Sequence, residues 1–313
     1  MNASFVKVSI IIVNYNFFKV LIDCIESVNK FTNGIDYEII IVDNNSTEGD
    51  IEEVIKNYTN VKLIKNLQNE GFARANNQGF AIASGDYFLV LNNDTVFLEN
   101  TLIKMIEFSQ LHNDGVLIGC KLLNSDYSNQ LSCVDFDSIS NLLGENLFIY
   151  KLLKHSRYIN RYHLNYLEFS SPVEVDIIKG AFIFGHRSIF EELKGFDERF
   201  YFFAEETDLC YRFKKNDGKI FFYPGSAIIH IGGATTDTLP WFKFKNQSIA
   251  KIQIIQKQFH SYKKFIAILL HYFGLLIRVP IYFFMGLIVF RKELILKSFY
   301  YMKSIFIYPK NVF

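Results

Sequence analysis

Residues 8–16 read VSIIIVNYN and residues 38–47 read EIIIVDNNST, two β-branched apolar runs that each break off into polar, turn-forming residues. Working outward, the same alternation continues to Asp94. Strand-like runs at Val8–Val13, Glu38–Val42, Val61–Ile64 and Tyr87–Leu91 are separated by stretches with helical period. Leu21, Cys24/Ile25, Val28 and Phe31 recur in the first gap, and Ile51, Val54/Ile55 and Tyr58 in the second. Strands alternating with amphipathic crossover helices predict an α/β fold built on a Rossmann-like, mostly parallel sheet flanked by helices.

Each of these strands ends in polar residues: Asn14 and Asn16, then Asp43 to Ser46, then Asn66 and Asn69, then Asn92-Asn93-Asp94. Asn and Asp are ordinary turn formers. In an open parallel sheet, however, ligands sit outside the carboxyl ends of the strands, so four polar ends converge on one crevice. Further along, a strand-like run at Val175–Phe184 precedes a helix at about Ser188–Leu193, an acidic helix start at Glu205, and two strands, Lys219–Tyr223 and Ala227–His230. Residues 124–170, rich in Asn, Ser and Tyr, read as an acceptor-facing insertion.

The chain has 313 residues, 50% of them apolar and 21% charged, enough for one large or two modest domains with a full core. Its net charge of +1 hides a split, because residues 257–313 hold nine Lys and Arg against the single acid Glu293. That net +8 leaves −7 for the rest, which argues against a nucleic-acid-binding body and for a tail suited to an anionic membrane surface. Cys24, Cys120, Cys133 and Cys210 show no C-x-x-C spacing, so reduced, packed thiols are expected. The N-terminal apolar run is too short for a secretory leader and has no small-residue cleavage site after it; a cytoplasmic chain is expected.

In the tail, Phe265–Ile277 and Val279–Phe290 are apolar stretches separated by Arg278 and Pro280. Each is shorter than the roughly 20 residues a bilayer span needs, and an Arg and a Pro near the middle of one long span are costly. Two helices lying in the interface, with Lys and Arg toward the lipid phosphates, fit this pattern. A broken span and a buried hairpin or homodimer interface are the alternatives.

Five ordered segments, VSIIIVNYN, IVDNNSTEGD, NEGFARANNQGF, LNNDT and GFDERFYFFAEETDLCYRFKKNDGKIFFYPGSAIIHIGG, are spread over about residues 7 to 235. Together they resemble the family 2 inverting glycosyltransferases with the GT-A fold, and within them the rhamnosyltransferase-like branch of bacterial cell-surface polysaccharide synthesis. The resemblance implies a catalytic domain over 1–235, with a nucleotide-binding half to about residue 95 and an acceptor-binding half from about 96. Residues 236–313 would be a basic, aromatic, membrane-associated helical tail. Trp241, with Phe242 and Phe244, resembles the family's exit toward the membrane, although such aromatics equally suit packing on the domain.

The same resemblance assigns roles by position. Asp43 would accept from the ring N–H of a uracil or thymine bracketed by the backbone at Val13 and Asn14; it also suits capping the next helix through Ser46 and Thr47. Gly71 opens a helix on which Phe72, Ala75, Gly79 and Ala83 recur along one face, so the opposite face offers Arg74 and Asn77 to the crevice, and a helix start beside glycine favours anions; a surface Arg on a solvated face is the plain alternative. Asn93 and Asp94 stand at the family's D-x-D element, with only Asp94 ionised, to hold Mg²⁺ or Mn²⁺ against the diphosphate. His230 resembles a downstream histidine that completes the metal site.

Glu206 matches the catalytic base, with Asp208 orienting it or touching acceptor and Glu205 the lesser candidate. Crowded carboxylates raise at least one pKa, and three acids at a helix start are also favoured by its dipole alone.

The implied activity is transfer of a sugar from dTDP-L-rhamnose or a UDP-hexose to a saccharide acceptor, lipid-linked, at the cytoplasmic face of the membrane. A nucleotidyltransferase would carry a Gly-rich basic run after the first strand, where VNYNFFKV has none. A non-catalytic nucleotide-sugar-binding subunit would not need Asp94, Glu206 and His230 together.

Overall fold

A computed structural model describes residues 7–156, 158–160, 169–232 and 240–307; Gly233 and Lys310 lie outside the described residues. In chain order the elements are β1 (Lys7–Asn14), α1 (Phe18–Phe31), β2 (Asp36–Asp43), α2 (Ile51–Ile55), β3 (Val61–Lys65) and α3 (Phe72–Ile82). There follow β4 (Tyr87–Asn92), β5 (Thr95–Phe97), α4 (Thr101–Leu111), β6 (Val116–Leu123), β7 (Cys133–Val134), α5 (Ile139–Asn146) and α6 (Ile149–Leu152). Next come β8 (Val173–Glu174), β9 (Ile177–Ile178), β10 (Phe182–His186), α7 (Arg187–Glu192), α8 (Glu205–Lys215) and β11 (Lys219–His230). Three helices end the chain: α9 (Pro240–Gln258), α10 (Ser261–Ile288) and α11 (Lys292–Ile305).

The chain forms two compact units, one of residues 1–134, 169–201 and 205–235, the other of residues 135–168, 202–204 and 236–313. The first is a sheet in the order β3-β2-β1-β4-β10-β6-β11-β5, with β8 paired to β11. β3, β2, β1 and β4 are parallel, β10 runs against both β4 and β6, and β6 is parallel to β11. The sheet is mostly parallel, as the alternating pattern predicts. Ile10, Ile11 and Ile12 on β1 and Ile39, Ile40 and Ile41 on β2 are all fully buried, so both faces are covered. Each such side chain contributes roughly 1.5–3 kcal/mol on burial. Leu21, Cys24, Ile25 and Val28 are the buried stripe of α1. All four cysteines are buried and none forms a disulfide, and burial pushes the thiols of Cys24 and Cys210 up to about 12, so they are packed, inert groups.

Three expectations are corrected. Val175–Phe184 is not one strand: β9 and the start of β10 divide it between two partners, β7 and the β4/β6 pair, while β8, just before it, pairs with β11. Lys219–His230 is a single strand with a register shift between Tyr223 and Ala227, at Pro224-Gly225. The two tail stretches are one 28-residue helix, α10, that continues through Pro280.

The second unit is helical. It takes in the described residues from 135 to 160, which the sequence reading placed in the acceptor-binding half. The cause is packing: Leu142 of α5 clusters with Ile255 and Phe259 of α9 and its end and with Ala267 of α10, and Lys251 pairs with Asp137 at 2.8 Å. Among the described residues α10 alone is long and apolar enough to cross a membrane.

Candidate active site

Parallel register sets the site. Because β1, β2 and β4 run side by side, Asn14 lies beside Asp43, and Val13 beside Asn92, at their carboxyl ends. Asn14 is fully buried and spends both ends of its amide there. Its Nδ2 donates to Asp43 Oδ1 at 2.9 Å and Ser46 Oγ at 3.1 Å, and its Oδ1 accepts from Asn93 Nδ2 at 2.8 Å. Asp43 also accepts from the N–H of Ser46 at 2.9 Å and from its hydroxyl at 2.5 Å. It therefore turns the chain after β2, while joining a network that spans three strand ends. The loop after β1 is tied to the same place, since Asn16 Oδ1 accepts from Thr47 N–H at 2.8 Å. Asn16 and Phe17 hold left-handed backbone (φ 59 and 58), a strain that persists where surrounding contacts enforce it.

At the end of β4, Asp94 meets His230 of β11, with Nε2 3.3 Å from Oδ1. The β5–β11 pairing, Thr95 opposite His230, and the Gly232 N–H donated to Asp94 Oδ2 at 3.1 Å hold the two together. Gln130 fixes the imidazole: its Oε1 lies 2.6 Å from Nδ1, and its Nε2 donates to the His230 carbonyl at 3.1 Å and to Asn124 Oδ1 at 2.9 Å. The Gln130 oxygen thus takes the Nδ1 proton. In the neutral ring Nε2 is then a bare lone pair, accepting from Asn92 Nδ2 at 3.2 Å and facing a carboxylate. A lone pair this close to a carboxylate oxygen suits a cation held between them, as a proton on Nε2 would also suit it. Two cis ligands on bonds of about 2.1 Å stand about 3.0 Å apart, close to the spacing seen, so the pair fits a divalent ion. Among the described residues no third His, Cys, Asp or Glu joins them, which leaves room for water and phosphate oxygens.

Gly71 precedes α3 with φ +83, and a Cβ there would strike Tyr201, whose carbonyl accepts from Phe72 N–H at 3.0 Å. Arg74 is half exposed and pairs with Glu70 at 3.0 Å and Glu198 at 3.9 Å. Asn77 turns elsewhere. Its Oδ1 accepts from Phe196 N–H at 2.8 Å and its Nδ2 donates to the Phe196 carbonyl at 2.9 Å, so it pins the turn before α8.

The acids of α8 separate into distinct environments. Asp208 is fully buried and accepts from Arg212 Nε at 2.7 Å, while Arg212 reaches the Leu193 and Gly195 carbonyls at 2.6 and 2.8 Å. That triad anchors the helix. Glu205 is buried with Oε2 lacking any partner among the described residues; burial, and then the charge of Glu206, raises its carboxyl well above the ordinary range. Glu206 is partly exposed, and a Cβ on Gly180 would sit 3.6 Å from its own Cβ. The neighbouring Ala181 carbonyl accepts from Asn92 N–H at 3.1 Å, so Glu206 stands at the same strand end as Asn92 and Asp94.

A sequence profile described as glycosyl transferase family 2 matches residues 9–193, more than half of the chain. The chain belongs to that family. No curated protein sequence matches it. Among solved structures, this family 2 chain is similar to GalNAc-T7, crystallised with UDP, GalNAc and Mn²⁺, at 18% identity and a TM-score of 0.56 over 73% of this chain and 44% of that one. It is also similar to residues 1–349 of S. aureus TarS, at 18% identity and a TM-score of 0.51 over 82% of this chain and 68% of that one. These likenesses establish a GT-A-like fold; the family 2 chain spans less than half of the GalNAc-T7 chain.

Sequence reasoning did not find Gln130. It lies in the segment read as an acceptor-facing insertion, and nothing in its spacing signals a partner 100 residues away.

Proposed function

We infer that this chain transfers a sugar, with inversion, from a nucleoside-diphosphate sugar to a saccharide hydroxyl. The observation that carries this reading is the meeting of Asp94 and His230 at 3.3 Å beside the Asn14–Asp43–Asn93 network, at the strand ends where α/β folds bind nucleotides. Asp94 and His230 would hold Mg²⁺ or Mn²⁺, as GalNAc-T7 was crystallised with Mn²⁺. When bound, the cation supplies positive charge against the diphosphate.

The chain's own residues do the rest. Asp43, Asn14 and the Val13 backbone frame the base, with Gly71 and Arg74 beside the phosphates and Asn93 at the strand end. Glu206 takes the proton from the acceptor hydroxyl as that oxygen bonds to the anomeric carbon. The bond from that carbon to the phosphate oxygen breaks, its electron pair leaves with the nucleoside diphosphate, and configuration inverts. Burial raises the Glu205 carboxyl well above the ordinary range, whereas Glu206 is partly exposed, a difference set by environment. Asp208 positions Glu206 through the Arg212 anchor.

The donor is dTDP-L-rhamnose or a UDP-hexose and the acceptor a lipid-linked saccharide at the cytoplasmic membrane face, with residues from about 96 to 235 serving the acceptor. The basic tail and the exposed apolar residues of α10 support the membrane placement. Glu206→Gln tests the chemistry. Transfer, followed as nucleotide released in the presence of acceptor, should fall about 100-fold or more, with donor affinity by calorimetry within about twofold. Unchanged turnover would remove Glu206 from the role.

A further inference from the structure

The helical unit carries a partly open cavity of about 740 Å³ that the transfer chemistry does not use. Small-ligand sites occupy about 300–1,000 Å³, so the volume suits an organic ligand. The walls come from α5, α6, α9, α10 and α11, all within that unit.

What lines the cavity is unusual in charge. Arg278 of α10 donates to Asn146 Oδ1 at 3.0 Å, to the Gly274 carbonyl at 2.9 Å and to the Glu145 carbonyl at 3.0 Å, and lies 4.9 Å above the Phe148 ring. Every one of those partners is neutral. Lys297 rests 4.9 Å from the Tyr282 ring and Lys151 5.1 Å from the Phe148 ring. Among the described residues none of these three cations has a carboxylate within ion-pair distance, whereas Lys251, on the same wall, is matched by Asp137 at 2.8 Å. Five Lys and Arg face the cavity against two acids, Glu145 and Glu293.

A second observation points the same way. His271 also lines the cavity, and its Nε2 is buried with no hydrogen-bond partner among the described residues. An unsatisfied buried polar atom costs about 1–3 kcal/mol and calls for an explanation. Leu142, Leu275, Leu296 and Phe244 supply apolar wall beside these groups.

Cations from separate helices, held on aromatic faces and uncompensated, match an anion with several acceptor oxygens. The leucines beside them match a hydrocarbon portion. We propose that this cavity is a binding site for an anionic phosphate ester bearing an apolar chain, with the phosphate held by Arg278 and Lys297. The site goes beyond sugar transfer and does not depend on it.

Trp241, the chain's one tryptophan, reports on the cavity, because its ring is 5.8 Å from that of Tyr300 on the wall. Full-length protein is titrated with monomeric dihexanoyl phosphatidic acid, with inorganic phosphate and with dihexanoyl phosphatidylcholine, following Trp241 fluorescence. Phosphatidic acid should give a saturable change, weakened tenfold or more in Lys297→Gln and in Arg278→Gln, with phosphatidylcholine much weaker. Inorganic phosphate competing at equal affinity would overturn the proposal and assign the site to free phosphate; competing only weakly, it would assign it to a lipid headgroup. No saturable response to either phosphate compound overturns the proposal, as does phosphatidylcholine binding as well as phosphatidic acid, or affinity unchanged in Lys297→Gln. That last variant touches no backbone group and decides the matter even if Arg278→Gln fails to fold. Glu206→Gln should leave the signal intact, which separates this result from the fate of the transfer reading.

Discussion

Glu38 and Glu205 are nearly equally buried, 5% and 7% exposed, yet they sit in opposite electrostatic worlds. Glu38 lies near the amino ends of β1 and β2. Burial alone would raise its carboxyl, but Lys62 at 2.6 Å and the groups of Ser9 and Ser84 at 2.7–2.8 Å outweigh that and hold it at about 2. Glu205, at the start of α8, has burial and the charge of Glu206 acting together and an oxygen without a partner. Partners, not burial, decide the ionisation. One end of the sheet satisfies its buried acid; the other keeps one in a costly state, the kind of cost that clusters at functional sites.

The contrast is broken most sharply at Glu38. Glu38→Ala leaves the Ser9 hydroxyl and the Ser84 N–H and hydroxyl without their acceptor, and should cost about 2–3 kcal/mol in urea unfolding at pH 7. A depressed carboxyl contributes stability that is present above its unfolded value and lost as pH falls through its folded one. The wild type should therefore lose more than the variant between pH 4.5 and about 2. A cost under about 0.5 kcal/mol would show that the network contributes no more than an exposed pair.

The second prediction sharpens the functional side. Gln130→Leu removes the oxygen that takes the Nδ1 proton of His230 and frees the ring to change tautomer and turn. Loss of such a supporting contact typically lowers metal affinity about 10–100-fold. Mn²⁺ binding to the protein alone, read by calorimetry, should weaken by tenfold or more while urea stability changes little. Equal Mn²⁺ affinity in the two proteins would remove either the metal or the glutamine from this account.

Legibility followed range. Asp43, Asn14, Asn93, Asp94 and His230 could be placed from the sequence because each ends a strand whose apolar run is local and whose register the parallel sheet then imposes. Asn77 could not: a helix face tells which way a side chain points, not that Phe196, 119 residues on, offers both a donor and an acceptor. Gln130 was hidden for the same reason. Pro280 suggested a break because it lacks an N–H, but one lost hydrogen bond among those of a 28-residue helix does not end it. Asp176 and Gly180 lie inside an apparently continuous strand, and the chain changes partners around them.

The smallest expected effect is the most pointed. In Glu205→Gln the side chain keeps its size and loses its charge, so what changes is the cost of ionising a buried, unpartnered group beside Glu206. A raised carboxyl leaves the fold unpenalised below its unfolded value, and stability is lost as pH climbs from there toward the raised folded value. The variant escapes that loss. It should match the wild type near pH 4 and exceed it at pH 8 by about 2–4 °C in Tm, the opposite sign to Glu38→Ala. Transfer should persist in Glu205→Gln, since the proton acceptor is Glu206. Were stability to fall at pH 8 and activity to vanish, Glu205 would be the working carboxylate, and the two ends of the sheet would differ in what their acids do rather than in whether they are satisfied.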